Sequence, residues 1–199
     1  MSPPRPPPAA TQSPWRHLPN ALTVLRMLLV APLTWLILAG RYDAALLIAA
    51  VAGLSDALDG WLAKRFGWQS WLGGVLDPIA DKLMLIGCFV ALGMIGAHPA
   101  WLTALVVGRD LVIVAGAAAY HVLIGRITAQ PTLLSKFTTC VQIGYVLAQL
   151  VHRTSWLELP TDLLRAGIGL TAAVTAASGV QYVVVWSGKA LRARDEAGR

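Results

Sequence analysis

Four aspartates lie in a sequence that otherwise consists of long apolar segments: Asp56, Asp59, Asp77 and Asp81. Carboxylates in such a setting are costly, so they require a cationic partner or a function. The first two are three residues apart and the last two are four apart, so each pair shares one face of a helix. If the two faces meet, four carboxylates surround one point and form a divalent-cation site.

The composition favours a protein that crosses a membrane several times. Of the 199 residues, 56% are hydrophobic and 13% are charged, and the mean hydropathy is +0.62, which is typical of polytopic membrane proteins and not of soluble domains. A membrane-spanning helix needs about 20 residues, so six spans occupy about 120 and leave short loops and two tails. We therefore predict an all-α integral membrane protein with six transmembrane helices.

The apolar segments set the expected boundaries. Residues 1–14 are rich in proline, which predicts a disordered tail. Residues 15–188 are expected to form the membrane domain, and residues 189–199 a basic cytoplasmic tail. The spans are expected at residues 21–39, from residue 44 to the first aspartate pair, from the second aspartate pair to residue 97, and at residues 101–124, 133–151 and 163–186.

The second and third spans reach crossing length only if the acidic stretch is counted within them. The apolar runs at residues 44–54 and 83–97 are each too short to cross a bilayer. The first aspartate pair then ends the second span and the second pair begins the third, with a short connection around residues 65–72. Helices joined in this way are antiparallel neighbours, so both carboxylate pairs are expected at one membrane face.

Basic residues place that face on the cytoplasmic side. With six spans, both termini share a side with the acidic stretch, and most Lys and Arg residues fall there, whereas the opposite loops offer Arg41, Arg153 and Arg165. By the positive-inside rule, we expect the termini and the acidic site on the cytoplasmic side of the inner membrane. We assign the net charge of +6 to contact with anionic lipid headgroups and expect no nucleic-acid partner.

The acidic stretch is suited to phosphoryl chemistry. Clustered carboxylates resist ionising, whereas two divalent ions between them stabilise an in-line attack on phosphorus. The cytoplasmic ends of the first, third and fifth spans are helix N-termini, which favour phosphate, and Lys64 and Arg65 add positive charge. The expected substrate is a phosphate or diphosphate attached to a lipid-soluble group.

Two other interpretations of the aspartates remain open at this point. They could form structural salt bridges with Lys82, Lys64 or Arg65. They could also line a cation transport route, although Gly60 and Gly73 suit close helix packing better than a wet channel.

The spacing of the acidic stretch resembles the signature of the CDP-alcohol phosphatidyltransferases, D-x2-D-G-x2-A-R-x8-G-x3-D-x3-D. The resemblance extends to the segment P-N-A-L-T-V-L-R at residues 19–26. This sequence departs from the signature in having Lys where the family has Arg, which keeps the charge but loses the bidentate fork. The matching positions are Asp56, Asp59, Gly60, Ala63, Lys64, Gly73, Asp77 and Asp81.

The resemblance implies a fold, a reaction and a set of site residues. The fold is six transmembrane helices, usually as a homodimer. The four aspartates are implied to bind two divalent cations, Mg2+ or Mn2+, and Asp81 to act as general base on an alcohol, which is a poor nucleophile until it loses its proton. That alcohol attacks the phosphatidyl phosphorus of CDP-diacylglycerol and releases CMP. The CDP group is implied to contact Gly60, Lys64 and Ser70, with help from Asn20 and Thr23 in the first span.

The acceptor alcohol is less well defined by the sequence. An anionic acceptor needs cations, and the candidates are Arg109 and Lys136, with pairing between Arg109 and Asp110 as the alternative. Residues 131–142 resemble two branches of the family, one that uses phosphatidylglycerol and one that uses glycerol 3-phosphate. Three features favour the phosphatidylglycerol branch: P-T-x-x-S-K at residues 131–136, the pair Arg109 and Asp110, and A-S-G-V-Q-Y at residues 177–182. An intramembrane prenyltransferase is one enzyme alternative, because that class also uses two aspartate-rich motifs, but its motifs lie further apart in sequence.

Overall fold

The structure, a computed structural model, describes the backbone of residues 18–66, 71–123 and 132–197. The described backbone forms six helices and no strand, which confirms the prediction of six helices. The predicted tail at residues 1–14 lies outside this description. Also outside it are the side chains of residues 18–20, 57, 59–64, 66, 71–75, 117–123 and 186–197. The helices are α1 (Leu18–Leu38), α2 (Tyr42–Phe66), α3 (Trp71–Met94), α4 (Ala100–Leu123), α5 (Leu133–Arg153) and α6 (Thr161–Ala197).

The helices begin and end close to the expected boundaries, with two differences. The second and third helices extend into the expected connection at residues 65–72, since α2 ends at Phe66 and α3 begins at Trp71. The last helix continues to Ala197, beyond the expected end of the sixth span at residue 186. The aspartate pairs therefore lie inside α2 and α3.

The helices pack as two groups that share a core. α1 packs against α3 and α2, and α6 packs against α4 and α5, while α2 and α3 contact α5, and α3 also contacts α4. Because α1 touches both helices that carry the aspartates, its side chains can reach both carboxylate pairs. The core contains large side chains from α1, α3, α4 and α5: Leu33, Ile37, Phe89, Leu92, Leu102, Val106 and Leu150.

Two glycines end α1 and α3 in the same way. Gly40 has a φ of 71° and Gly96 a φ of 73°, a left-handed conformation that glycine adopts without steric cost. The amide after each glycine donates to a carbonyl in the last turn, at 2.9 Å from Leu36 and 2.9 Å from Leu92 respectively. This is the Schellman arrangement, which satisfies the free carbonyls of a helix end. Both turns lie at the end of the bundle opposite the aspartates.

The distribution of polar and apolar side chains differs from that in a soluble domain. Large apolar side chains point outward on several helices, whereas charged and amide groups are buried between helices, a pattern that suits helices surrounded by lipid. Buried polar groups include Arg26, Arg109, Asp110, Gln142 and Thr175, and apolar side chains between 62% and 67% exposed include Leu28, Leu47, Leu54, Leu111 and Val180.

Within the described residues, two helices contain an apolar window that is long enough to cross a membrane by length and composition. These are Ala21–Leu38, with a mean hydropathy of 2.0, and Thr161–Val185, with 1.6. Six helices are thus confirmed, whereas six membrane spans stay a prediction.

A buried polar cluster closes the end of the bundle opposite the aspartates. His98 lies in the turn after α3, and its Nε2 is 2.9 Å from Thr103 Oγ1, which donates to the carbonyl of Phe89 at 3.1 Å. The rings of Phe89 and Tyr145 flank the imidazole, with centroids 5.5 Å and 5.8 Å away. Burial lowers the pKa of His98, and the charge of Arg153 lowers it further, so the imidazole is neutral at pH 7.

Gly93→Ala is expected to destabilise this end of the bundle. A Cβ at this position would lie 2.8 Å from Thr103 Oγ1, and that hydroxyl cannot move without losing its bonds to His98 and Phe89. We expect the free energy of unfolding to fall by about 1–3 kcal/mol, as measured by unfolding of the detergent-solubilised protein. Gly144→Ala is the matched control, because a Cβ there meets no atom within 4 Å. Equal stability of the two variants would contradict the prediction.

Candidate active site

One arginine of α1 lies between the carboxylates of α2 and α3. Arg26 is 2% exposed, with Nη2 2.6 Å from Asp56 Oδ1 and Nη1 2.5 Å from Asp81 Oδ1. Because both nitrogens belong to one planar guanidinium, the two carboxylates face each other across a single cationic group. The carboxylate side chains are 46% and 49% exposed, so they remain accessible to a ligand.

Asp77 joins the same group through a second side chain of α1. Thr23 precedes Arg26 by one turn, is 1% exposed, and donates its hydroxyl to Asp77 Oδ1. Asp77 lies near enough to Asp81 for the two like charges to repel each other. One face of α1 therefore orients three of the four aspartates, and the side chain of Asp59 lies outside the described residues.

The donor atoms of this group fit a hard divalent cation. Carboxylate oxygens are the ligands that Mg2+ and Mn2+ prefer, and a cationic group already lies between Asp56 and Asp81. The described side chains do not by themselves form a group of three or more potential ligands at metal-binding distance. The fourth aspartate predicted at this point, Asp59, has its side chain outside the described residues.

Arg26 and the aspartates form one cluster, and a second cluster begins at Lys82, the next residue along α3 after Asp81. Lys82 Nζ is 2.8 Å from Asp110 Oδ1, and Arg109 Nη1 is 2.6 Å from the same oxygen. Arg109 Nη2 also donates to Ser135 Oγ at 2.7 Å and to Ser178 Oγ at 2.6 Å. The cluster joins α3, α4, α5 and α6. Arg109 was considered from the sequence as an acceptor-binding residue or as the partner of Asp110, and the structure places it in this pairing.

One cavity of about 830 Å³ reaches both clusters. Arg26, Asp56 and Asp81 line it at one point, and Lys82 and Lys136 line it at another. A bound molecule can therefore contact the aspartates and the lysines together while an apolar portion lies along α2 and α5. Apolar side chains of these two helices form much of the remaining wall: Leu46, Ala49, Ile143, Val146, Leu147 and Val151.

Arg26 was not expected at this site from the sequence, although a signal was present. It is the sole charged residue in α1, and an arginine in an apolar helix needs a buried counter-ion. Lys82 and Arg65 were considered instead as partners for the aspartates. The structure pairs Lys82 with Asp110 and leaves Arg65 exposed.

Most residues predicted to bind the CDP group lie wholly or partly outside the described residues. Thr23 is the exception, and its hydroxyl is bonded to Asp77. Gly60 and Lys64 lie in the last part of α2, and Asn20 lies in the first turn of α1, but their side-chain positions are outside the description, as is all of Ser70.

The model of the CDP-alcohol phosphatidyltransferase family matches residues 16–189 of the chain. This range contains the four aspartates, both polar clusters and all six helices except the last turns of α6. The chain therefore belongs to the CDP-alcohol phosphatidyltransferase family.

The curated relatives in this family include cardiolipin synthases (CMP-forming). The chain is 32% identical to human cardiolipin synthase (CMP-forming) over 191 residues, covering 88% of this chain and 63% of the human protein. It is 33% identical to cardiolipin synthase (CMP-forming) of Streptomyces coelicolor over 179 residues, covering 84% of this chain and 81% of that protein.

A differently named relative is the chloroplastic CDP-diacylglycerol–glycerol-3-phosphate 3-phosphatidyltransferase 1 of Oryza sativa subsp. japonica. The chain is 34% identical to it over 186 residues, covering 83% of this chain and 56% of the rice protein. The chain thus spans 56% of the rice protein and 63% of the human one.

Two substitutions are expected to separate structural from ligand-binding cations. Arg109→Gln removes the bonds to Asp110, Ser135 and Ser178, and we expect the free energy of unfolding to fall by about 2–4 kcal/mol. Lys136→Gln changes an exposed side chain and is expected to leave stability unchanged. Unfolding in detergent measures both, and a Lys136 variant as unstable as the Arg109 variant would contradict this assignment.

Proposed function

We propose that this protein is an integral membrane phosphatidyltransferase of phospholipid biosynthesis. It transfers the phosphatidyl group of CDP-diacylglycerol to the hydroxyl of a glycerol-type acceptor and releases CMP. The observation that carries the proposal is the convergence of Asp56, Asp77 and Asp81 on one face of α1, beside a cavity that also reaches Lys82 and Lys136. The cavity offers carboxylates for a diphosphate-bound metal, cations for an anionic acceptor and apolar walls for acyl chains.

The membrane setting is supported by the outward-facing apolar side chains and the buried charges. Six spans place the aspartates near one membrane face, and the excess of basic residues in the tails assigns that face to the cytoplasm. CDP-diacylglycerol and the acceptor then meet at the cytoplasmic side of the inner membrane. We expect a homodimer, as the family resemblance implies.

Two divalent cations, Mg2+ or Mn2+, would be held by Asp56, Asp59, Asp77 and Asp81. Such ions supply charge stabilisation at the phosphorus and its leaving oxygen. Thr23 orients Asp77, and Arg26 orients two of the other carboxylates. The CDP group is expected to contact Asn20, Thr23, Gly60, Lys64 and Ser70.

Asp81 is proposed as the general base. Its Oδ1 is bonded to Arg26, which leaves Oδ2 to accept the proton of the acceptor hydroxyl. The hydroxyl oxygen forms a bond to the phosphatidyl phosphorus, and the bond from that phosphorus to the CMP oxygen breaks. Proton removal at this point suits an alcohol nucleophile, because an alcohol attacks poorly while protonated.

Phosphatidylglycerol is the proposed acceptor, and glycerol 3-phosphate is the alternative. Two features favour a lipid acceptor: the apolar walls of the cavity along α2 and α5, and the cardiolipin synthase name of the human and Streptomyces relatives. Lys136 lines the cavity and is exposed, so it can bind the acceptor phosphate. Arg109 is expected to contribute through its charge, since both of its terminal nitrogens already bond to protein groups.

The acceptor is tested by a CMP-release assay on purified protein in micelles that contain CDP-diacylglycerol and Mn2+. We expect CMP release to depend on added phosphatidylglycerol, with cardiolipin identified by mass, and to be far slower with glycerol 3-phosphate. Release with glycerol 3-phosphate alone would replace the proposed acceptor by the alternative. Cation transport into vesicles without CMP release would contradict a transferase altogether.

The general base is tested by Asp81→Asn. The variant is expected to bind CDP-diacylglycerol and to lose at least about 100-fold in turnover, because general bases contribute roughly 10²–10⁴-fold. Binding of CDP-diacylglycerol is measured by titration calorimetry, and turnover is measured by CMP release. Near-normal turnover would contradict the assignment of Asp81 as the general base. Asp43→Asn is the control, since Asp43 is an exposed carboxylate at the other end of α2.

A further inference from the structure

The guanidinium of Arg26 occupies the space between the two helices that carry the aspartates. Its two terminal nitrogens bind one oxygen each of Asp56 and Asp81, on α2 and α3. The side chain is 2% exposed, and arginine does not lose its proton in proteins. The acidic group therefore contains one permanent positive charge that belongs to the chain itself.

A divalent ion at this site needs the same carboxylates. Asp56 Oδ1 and Asp81 Oδ1 are both within 2.6 Å of Arg26, and both residues are among the four proposed ligands of a metal ion that bridges α2 and α3. A metal ion and the guanidinium of Arg26 repel each other when both lie beside the same carboxylate pair. Binding of the ion therefore weakens the contacts between Arg26 and the two aspartates. Ion and arginine are therefore coupled energetically.

The same contacts keep the helices together when no ion is bound. Without a positive charge, Asp56, Asp77 and Asp81 would repel one another across the α2–α3 contact. Arg26 removes much of that repulsion, and Thr23 holds Asp77 from the same face of α1. Since α1 packs against both α2 and α3, the arginine is anchored on a helix that does not itself carry an aspartate of the group.

We propose that Arg26 is a built-in counter-cation of the metal site. It preserves the arrangement of the carboxylates in the metal-free protein, and by competing for their oxygens it lowers the apparent affinity for divalent ions. It is a positioning residue, since it acts on the proposed metal ligands and not on the substrate. This inference rests on the proposed metal site and assigns to Arg26 a role that the signature residues do not include.

The test compares Arg26→Gln and Arg26→Lys with the wild-type protein in detergent. Mn2+ binding is measured by the electron paramagnetic resonance signal of the free ion, and the unfolding temperature is measured in EDTA and in Mn2+. For Arg26→Gln we expect a lower unfolding temperature in EDTA, a larger rise on adding Mn2+ than in the wild type, and a roughly tenfold lower Kd for Mn2+, equivalent to ~1.4 kcal/mol.

Arg26→Lys keeps the charge but not the fork that spans two carboxylates, so its Kd is expected to fall between those of the wild type and Arg26→Gln. It also provides the measurement if the Gln variant does not fold. Arg165→Gln is the matched control, because its ion pair with Asp162 is exposed at the surface, and it is expected to bind Mn2+ and unfold as the wild type does.

The outcomes distinguish this inference from the metal site on which it rests. If the wild type does not bind Mn2+, both are overturned. If the wild type binds Mn2+ and Asp81→Asn weakens that binding, the metal site stands. An unchanged or higher Kd in the Arg26 variants, or an equal loss of stability in EDTA and in Mn2+, would then overturn the counter-cation role alone.

Discussion

The fold depends on the neutralisation of charge inside an apolar bundle. An uncompensated carboxylate between helices is costly, and removal of one partner of a buried pair is more destabilising than the pair is stabilising. The chain meets this constraint by binding Asp56 and Asp81 to one arginine of α1. The contact joins three helices at the point where the chemistry is proposed, so the same interaction serves the packing and the site.

The cluster around Asp110 meets the same need for charge neutralisation between α3, α4, α5 and α6. Arg109 and Lys82 share the carboxylate of Asp110, and serines of α5 and α6 take the remaining donors of the arginine. This arrangement fixes the relative positions of four helices with polar bonds, while the outer faces remain apolar. The two clusters therefore hold the helices together through polar contacts in the interior, which a bundle in the proposed lipid setting needs because lipid supplies no hydrophobic driving force between helices.

The number of helices and the location of the acidic group follow from the sequence, because both depend on local patterns. Apolar run lengths give the six helices, and the spacing of the aspartates gives the shared helix faces. The partners of those aspartates do not follow, since Arg26 and Asp81 are 55 residues apart and Arg109 and Ser178 are 69 apart. Such contacts depend on the rotational orientation of each helix about its own axis. The spacing of residues within one helix does not determine that orientation.

Asp81 and Lys82 show how one helix presents a carboxylate to one neighbouring helix and a cation to another. Consecutive residues on an α-helix point about 100° apart, and here Asp81 faces Arg26 of α1 while Lys82 faces Asp110 of α4. A rigid helix thereby sets the distance between the proposed base and a cation of the acceptor side. Because the cavity passes both residues and also Lys136 of α5, a shift of α3 would move Asp81 and Lys82 together and would change the distance of both from Lys136 and from Asp56 of α2.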